Sequence, residues 1–277
     1  MTRAPRWVRV LHEDDDLLVV SKPGGLVCHP SKGDAASSLM GRVRLHVGPG
    51  AAPQMVHRLD RETSGVMVFA KTAEAALELR QGWSLGFVSK SYLAIVHGHP
   101  ERDEGVIEAP LGRDEASEVV ARDRVRPDGA RARTRYRVAL RFERAEGRFA
   151  LVRAWLDTGR KHQVRLHLAH LGHPLVGDKL YGVDPGAYLA FVERRLTPVQ
   201  RERLMLSCHA LHADGLWLPW RGEERAFHDP PGPWMGAFVR GEAVPWEDDL
   251  FDPRKPSKPL DDLPETRDEA TISGIFA

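Results

Sequence analysis

The stretch of sequence that decides the fold is Val56-His57-Arg58-Leu59-Asp60-Arg61-Glu62-Thr63-Ser64-Gly65. It joins two apolar runs, 54–59 and 66–70, which we predict to be buried strands. A polar loop between two buried strands is a common place for catalytic side chains, because the strands hold it rigidly at the surface. The carboxylate of Asp60 has the chemistry of a nucleophile, a base, a metal ligand or a turn cap, and composition alone favours the turn cap.

Short strands outnumber helices on both sides of this stretch. Strands are predicted from apolar runs and period-two alternation, and helices from capping residues such as Thr72 and stop residues such as Gly172. Because the two do not alternate regularly, we expect an α+β fold with a mixed, mostly antiparallel sheet and peripheral helices and loops. The predicted strands are 8–12, 17–21, 54–59, 66–70, 89–96, 134–142, 149–156, 210–213 and 215–218, the predicted helices are 37–47, 73–83 and 161–171, and 101–130 are predicted to form hairpins or loops.

Charge is distributed unevenly along the chain. The formal net charge is +1, but residues 241–277 hold ten acidic and four basic residues, which leaves 36 basic and 29 acidic residues in 1–240, a net of +7. A mildly basic body suits a polyanionic partner. The proline-rich acidic end has few aliphatic residues to bury. We therefore expect one catalytic domain at 1–230 and an extended or disordered tail at 231–277.

Five arginines alternate along one predicted strand and its approach, at positions 131, 133, 135, 137 and 141. Their period of two places them on one face of a sheet. A solvated face and a surface that contacts nucleic acid are equally compatible with this pattern.

Composition excludes several classes of protein. No run of about 18 apolar residues could span a membrane, and the N-terminus lacks the apolar core of a signal peptide. The two cysteines, Cys28 and Cys208, are far apart and are interpreted as structural thiols rather than as a disulfide or a zinc site. We expect a monomeric protein of the cytoplasm.

Four histidines, at positions 162, 167, 170 and 173, include pairs spaced for one helical face, which is compatible with a metal-dependent hydrolase. No matching acidic or thiolate ligand accompanies them. We therefore expect no metal site.

The string His-Arg-Leu-Asp-x-x-Thr-Ser-Gly at 57–65 resembles the signature of the pseudouridine synthases that act on ribosomal and transfer RNA. Further blocks resemble the same family in the same order, so that the resemblance covers about residues 8–220. They are Leu18-Val19-Val20-Ser21-Lys22-Pro23-Gly24-Gly25-Leu26, Lys90-Ser91-Tyr92-Leu93-Ala94-Ile95-Val96-His97-Gly98, Thr158-Gly159-Arg160-Lys161-His162-Gln163-Val164-Arg165-Leu166-His167-Leu168-Ala169 and Gly172-His173-Pro174-Leu175-Val176-Gly177-Asp178-Lys179-Leu180-Tyr181-Gly182.

The resemblance implies isomerisation of uridine to pseudouridine in structured RNA, without a cofactor or metal. It implies that Asp60 is the nucleophile, that Tyr92 stacks on the base and assists proton transfer, and that Arg165 is the ion-pair partner of Asp60. It also implies that Arg58 fills the place in the RNA that the target uridine vacates. We add Arg61, Lys90, Arg160, Lys161 and His162 as RNA-binding candidates, because basic side chains and helix-start amides contact phosphate.

The sequence departs from the family in two places. Only about seven residues precede the first predicted strand, so we expect the small N-terminal RNA-binding domain of many members to be lacking. After the expected Leu211-His212-Ala213, the segment 216–220 matches the family only loosely. An RNA-binding protein without catalysis is the alternative on the same scaffold, although intact Asp60, Tyr92 and Arg165 argue against it.

Overall fold

A computed structural model describes residues 8–29 and 35–247, in which strands and helices mix as an α+β fold. The strands are β1 (Arg9–Glu13), β2 (Leu17–Lys22), β3 (Gln54–Met55), β4 (Ser64–Ala70), β5 (Ser89–His97), β6 (Glu104–Glu108), β7 (Leu111–Arg113), β8 (Asp123–Val125), β9 (Arg133–Arg144), β10 (Gly147–Leu156), β11 (Leu211–Trp220) and β12 (Glu223–His228). The helices are α1 (Leu39–Val47), α2 (Ala73–Ser84), α3 (Gln163–His170), α4 (Ala187–Val192), α5 (Pro198–Leu204) and α6 (Pro233–Val239).

The described chain divides into two compact units. Of the described residues, 8–29, 35–90 and 213–233 belong to the first unit, and 91–212 and 234–247 belong to the second. Within the described residues, no helix is both long enough and apolar enough to cross a membrane.

The first unit is built on β2 and β4, whose residues 17–20 and 66–70 are buried. The strand order is β1-β2-β4-β11, with β3 added to β4 and β12 to β11, and the β1–β2, β2–β4, β3–β4 and β11–β12 pairs are antiparallel. Helix α2 begins where Thr72 Oγ1 accepts a hydrogen bond from Ala75 N–H at 3.2 Å, as the sequence predicts. Its Ala76 and Leu79 are buried in the core of this unit.

The second unit has the strand order β5-β10-β9-β6, again antiparallel throughout, and a separate β7–β8 hairpin. Aromatic and aliphatic side chains of β5 and β10 form its core together with Met235 and Phe238 of α6. The rings of Phe149 and Phe238 meet edge to face, with centroids 5.5 Å apart. The fold class and the mostly antiparallel pairing are therefore confirmed.

Three predicted elements are wrong in their extent. The strand predicted at 54–59 ends at Met55, because the N–H of Val68 donates to the His57 ring rather than to a longer strand. The predicted strand pair at 210–213 and 215–218 is one strand, β11. Its hairpin turn lies at Arg221 and Gly222, where φ is 51° and 82°, the left-handed conformation that tight hairpin turns require.

The second half of the chain is also more helical than predicted. The prediction misses α4 and α5, and α3 begins two residues later than expected. The boundary at residue 230 is too early, since α6 buries Met235 and Phe238 in the second core. Residues 248–277, most of the predicted tail, lie outside the described residues.

Gly65 is the second residue of β4, just after the loop that carries Asp60, and has no room for a side chain. Its φ is +122°, and a Cβ placed there would lie 2.5 Å from the amide nitrogen of Ala213 in β11. Both the backbone conformation and the close approach of β11 therefore require glycine.

We expect Gly65→Ala to lower the free energy of unfolding by about 3 kcal/mol, through backbone strain together with the clash with β11. Gly48→Ala is the matched control, because Gly48 also has positive φ, at +81°, but has no atom within 4 Å of an added Cβ. The free energy of unfolding of the Gly48→Ala control should fall by only about 1 kcal/mol. Urea unfolding measures both, and equal losses would show that β11 does not constrain position 65.

Candidate active site and RNA-facing residues

The loop that carries Asp60 is anchored by Lys22, whose side chain is completely buried. The Lys22 ammonium donates to the carbonyl oxygens of Pro23 and Leu26 at 2.8 Å and of Arg61 at 2.9 Å. Arg61 Nε in turn donates to the carbonyl of Gly25 at 3.0 Å. Two of these bonds order the 22–26 turn itself, and the other two, Lys22 to Arg61 and Arg61 to Gly25, join that turn to the segment directly after Asp60. The side chain of Asp60 is partly exposed.

His57 supports the other end of the loop. Its ring stacks on Trp83, with centroids 4.8 Å apart and planes inclined by 19°. Its Nε2 accepts a hydrogen bond from Val68 N–H at 3.1 Å. Burial, and secondarily the ammonium of Lys90, lower the pKa of His57 to about 3. The ring is therefore neutral at pH 7 with its proton on Nδ1, because Nε2 is an acceptor.

Two other residues around the loop are removed from solvent to different degrees. Cys28 donates its thiol hydrogen to the carbonyl of Leu59 at 3.2 Å, which agrees with a structural thiol. The side chain of Lys90 is partly buried, and this burial lowers its pKa. The first unit thus holds four of the predicted site residues: Arg58, which is exposed, Asp60, Arg61 and Lys90.

The second unit holds the other predicted catalytic residues, Tyr92 and Arg165. Tyr92 lies on β5, is 7% exposed and pairs in register with Ala154 of β10. Arg165 lies in the first turn of α3 and is buried. Its Nε and Nη2 donate to the two carboxylate oxygens of Asp178, at 2.7 and 2.8 Å.

Asp178 is a partner of Arg165 that the sequence reasoning did not single out. Burial by itself would raise the pKa of this carboxyl, but the adjacent Arg165 guanidinium overrides that effect and holds the pKa well below its usual range. The sequence signal for it was present, because Asp178 lies in the quoted block 172–182. No partner could be assigned to it without the fold.

The approach to α3 is organised by Gln163. Its Oε1 accepts from Thr158 Oγ1 at 2.8 Å and from Arg160 N–H at 3.0 Å. Its Nε2 donates to the Arg133 carbonyl and to Thr134 Oγ1, each at 2.9 Å. The segment 158–163 is therefore a preformed loop.

Each of the three basic RNA-binding candidates in this loop has a contact within the protein. Arg160 Nε donates to the carbonyl of Arg131 at 3.0 Å, and Lys161 Nζ lies 3.0 Å from Asp123 Oδ1. His162 has a left-handed backbone, with φ 57°, and its Nδ1 lies 2.8 Å from the hydroxyl of Tyr181. Arg160 and Lys161 are nonetheless exposed, so an RNA phosphate could compete for them.

Four of the five alternating arginines pair with carboxylates of neighbouring strands and loops. Arg133 and Arg135 both pair with Asp157, Arg137 pairs with Glu104 at 3.1 Å, and Arg141 pairs with Asp103 at 2.6 Å. Arg133 also pairs with Glu108. This arrangement favours a solvated, internally neutralised sheet face over RNA contact.

Besides His162, two more of the four spaced histidines have hydrogen bonds within the protein. His167 is fully buried; its Nε2 donates to the Ala109 carbonyl at 2.9 Å and its Nδ1 accepts from Thr134 Oγ1 at 2.8 Å. His173 Nδ1 donates to the His97 carbonyl at 2.9 Å. These bonds account for the orientation of the two rings. Across residues 8–29 and 35–247, no group of three or more metal-ligating side chains comes together.

Comparison with known proteins gives a consistent set of relatives. A family model described as RNA pseudouridylate synthase matches residues 16–170. An uncharacterized RNA pseudouridine synthase of Aquifex aeolicus is 35% identical over 226 residues, which cover 79% of this chain and 68% of that protein. Ribosomal large subunit pseudouridine synthase D of Nitrosomonas europaea is 40% identical over 183 residues, 63% of this chain and 50% of that protein. The protein of that name from Vibrio cholerae is 37% identical, over 80% of this chain and 67% of its own length.

These alignments span between half and about two thirds of the relatives' own lengths. Among solved structures, human RNA pseudouridylate synthase domain containing 4 matches with a TM-score of 0.63 and 28% identity, over 84% of this chain and 92% of that one. Human RNA pseudouridylate synthase domain containing 1 matches with a TM-score of 0.67 and 24% identity, over 88% of this chain and 91% of that one. At this identity the match supports the fold alone.

We expect the His57 ring to keep one protonation state from pH 8 to pH 4, because its pKa of about 3 lies below that range. The pKa in the unfolded chain is about 6.5. Between these values the unfolded chain binds more protons, so the stability that His57 contributes is present above pH 6.5 and is lost as the pH falls towards 3. Nitrogen NMR of the ring, with the urea-unfolded protein as control, measures this. A folded-state titration near pH 6 would contradict it.

Proposed function

The chain belongs to the RNA pseudouridylate synthase family, which isomerises uridine to pseudouridine, and we propose that Asp60 is its nucleophile. The observation that supports this role is the anchoring of the Asp60 loop by the buried Lys22 ammonium through the Pro23, Leu26 and Arg61 carbonyls. A carboxylate on a loop held in this way meets the reacting atoms without paying to order the loop first.

The reaction breaks the bond between N1 of uracil and the ribose, turns the base and joins ribose to carbon 5. The hydrogen of carbon 5 leaves as a proton and N1 gains one, so no atom or electron is gained or lost overall. Attack by Asp60 on the sugar and attack on the base both satisfy this balance. In either case the carboxylate must be charged, and burial beside a base would raise its pKa.

Arg165 is proposed to hold Asp60 in its charged form. A guanidinium keeps its proton at any physiological pH, and its planar fork can bind a carboxylate in one orientation. Tyr92, on β5, is proposed to stack on the uracil and to assist the proton transfer from carbon 5. Its burial on a paired strand supports a fixed position for the ring.

The substrate is proposed to be structured ribosomal or transfer RNA. Two relatives are named for the large ribosomal subunit, which supports ribosomal RNA of that subunit. The target uridine must leave its stack, at a cost of a few kcal/mol that phosphate contacts offset. The exposed Arg58 is proposed to fill the vacated place, with Arg61, Lys90, Arg160, Lys161 and His162 nearby on the RNA. The enzyme is further proposed to act as a cytoplasmic monomer without a cofactor.

Asp60→Asn and Asp60→Ala should abolish pseudouridine formation on bulk RNA, because neither side chain can act as a carboxylate nucleophile. Asp15→Asn is the control, since Asp15 is an exposed carboxylate in the turn between β1 and β2. The measurement is release of tritium from RNA whose uridine is labelled at carbon 5. Activity retained by folded Asp60 variants would exclude Asp60 as the nucleophile. Mapping pseudouridines in cells with and without the gene identifies the target.

Lys161→Ala should weaken RNA binding about equally for all sequences and reduce the slope of log affinity against log salt by about one. Lys71→Ala is a matched control, because Lys71 pairs with Glu13 at 2.9 Å much as Lys161 pairs with Asp123. Filter binding over a range of salt concentrations measures both slopes. An unchanged slope for Lys161→Ala would remove Lys161 from the RNA-binding surface.

A further inference from the structure

The carboxylate of Asp178 is fully buried and accepts four hydrogen bonds. Two come from Nε and Nη2 of Arg165. The other two come from the backbone N–H groups of Leu180 and Tyr181, at 2.9 and 3.0 Å. The carboxylate is therefore fixed by the backbone amides of the turn that carries it, and it binds one edge of the Arg165 guanidinium.

The turn that carries Asp178 leaves little space for movement. Gly177 has φ +77°, and a Cβ there would lie 2.6 Å from the Cys208 carbonyl. A Cβ on Gly182 would collide with the carbonyl oxygen of Asp178 itself. Both glycines let the turn close tightly, so Asp178 is fixed by packed backbone rather than by a flexible loop.

Tyr181 fixes the guanidinium from a second direction. The Cζ atom of Arg165 lies 5.0 Å from the centroid of the Tyr181 ring, within the range of a cation–π contact. The Tyr181 hydroxyl accepts from Asp123 N–H at 3.1 Å and lies 2.8 Å from His162 Nδ1. The edge of Arg165 that contains Nε and Nη2 is thus bound to Asp178, and the ring of Tyr181 lies close to the same guanidinium.

We propose that Asp178 is the positioning residue for Arg165 in the isomerisation. This inference rests on the proposed function, in which Arg165 holds Asp60. Asp178 binds the Nε–Nη2 edge of the guanidinium and so fixes the orientation in which the Arg165 side chain is held. A buried ion pair adds little net stability over apolar side chains of similar volume, so the pair is better explained by the orientation that it imposes.

The test is Asp178→Asn, which keeps the shape of the side chain and removes the negative charge that pairs with Arg165. We expect kcat to fall about 100-fold, the cost of misplacing a reacting group by about 1 Å, while RNA affinity stays within about 2-fold. Asp178→Glu, which keeps the charge but shifts it by one methylene, should recover part of the loss. Asp103→Asn is the control, because it removes the carboxylate of a surface pair with Arg141 in the same unit and should leave kcat unchanged.

A double-mutant cycle shows whether Asp178 acts through Arg165. In an Arg165→Lys background the pair of hydrogen bonds to Asp178 is already lost. Asp178→Asn should therefore lower kcat by less than about a further 3-fold in that background. Thermal unfolding identifies variants that fail to fold, and if Asp178→Asn is one of them, Asp178→Glu takes its place in the cycle. Wild-type kcat in the folded Asp178 variant, or equal losses in both backgrounds, would overturn the inference. An inactive wild-type enzyme would instead overturn the proposed function.

Discussion

An ammonium group that is completely removed from water must replace its hydration with fixed acceptors, and Lys22 does so with the carbonyls of Pro23, Leu26 and Arg61. Losing any one of these bonds would leave a buried charge partly unsatisfied, which costs far more than a single surface contact. The chain on either side of Asp60 therefore has little freedom. The two ends of the loop are also fixed. His57 at one end accepts a hydrogen bond from β4, and Gly65 at the other end packs closely against β11.

In the second unit the buried charge is that of Arg165, and a buried carboxylate neutralises it. Arg165 and Asp178 satisfy one another, and the backbone amides of Leu180 and Tyr181 complete the shell of the carboxylate. In each unit, a buried charge therefore fixes a segment that carries a proposed catalytic group. Removing either buried charge is expected mainly to shift the segment that it holds, and to have little effect on the electrostatics of the surface.

Surface charge is a poorer guide to function in this chain than buried charge. The arginines of β9 look like a basic stripe in the sequence, yet Arg133, Arg135, Arg137 and Arg141 each pair with a carboxylate from another segment. Such exposed pairs contribute little to stability and neutralise the face locally. The net charge of a segment counts these residues, but it cannot tell which of them already has a partner.

The sequence alone determined the fold class, the positions of most strands and the family, because apolar periodicity and long motif strings are local in the chain. It also singled out Asp60, Tyr92 and Arg165 as candidates, while their catalytic roles remain proposals. It did not determine where β3 and β11 end, the helices α4 to α6, or the partners of Lys22 and Asp178. Only the tertiary structure decided these, since hydrogen bonds such as Lys22 to Arg61, 39 positions apart, and Arg165 to Asp178, 13 positions apart, depend on which segments fold together.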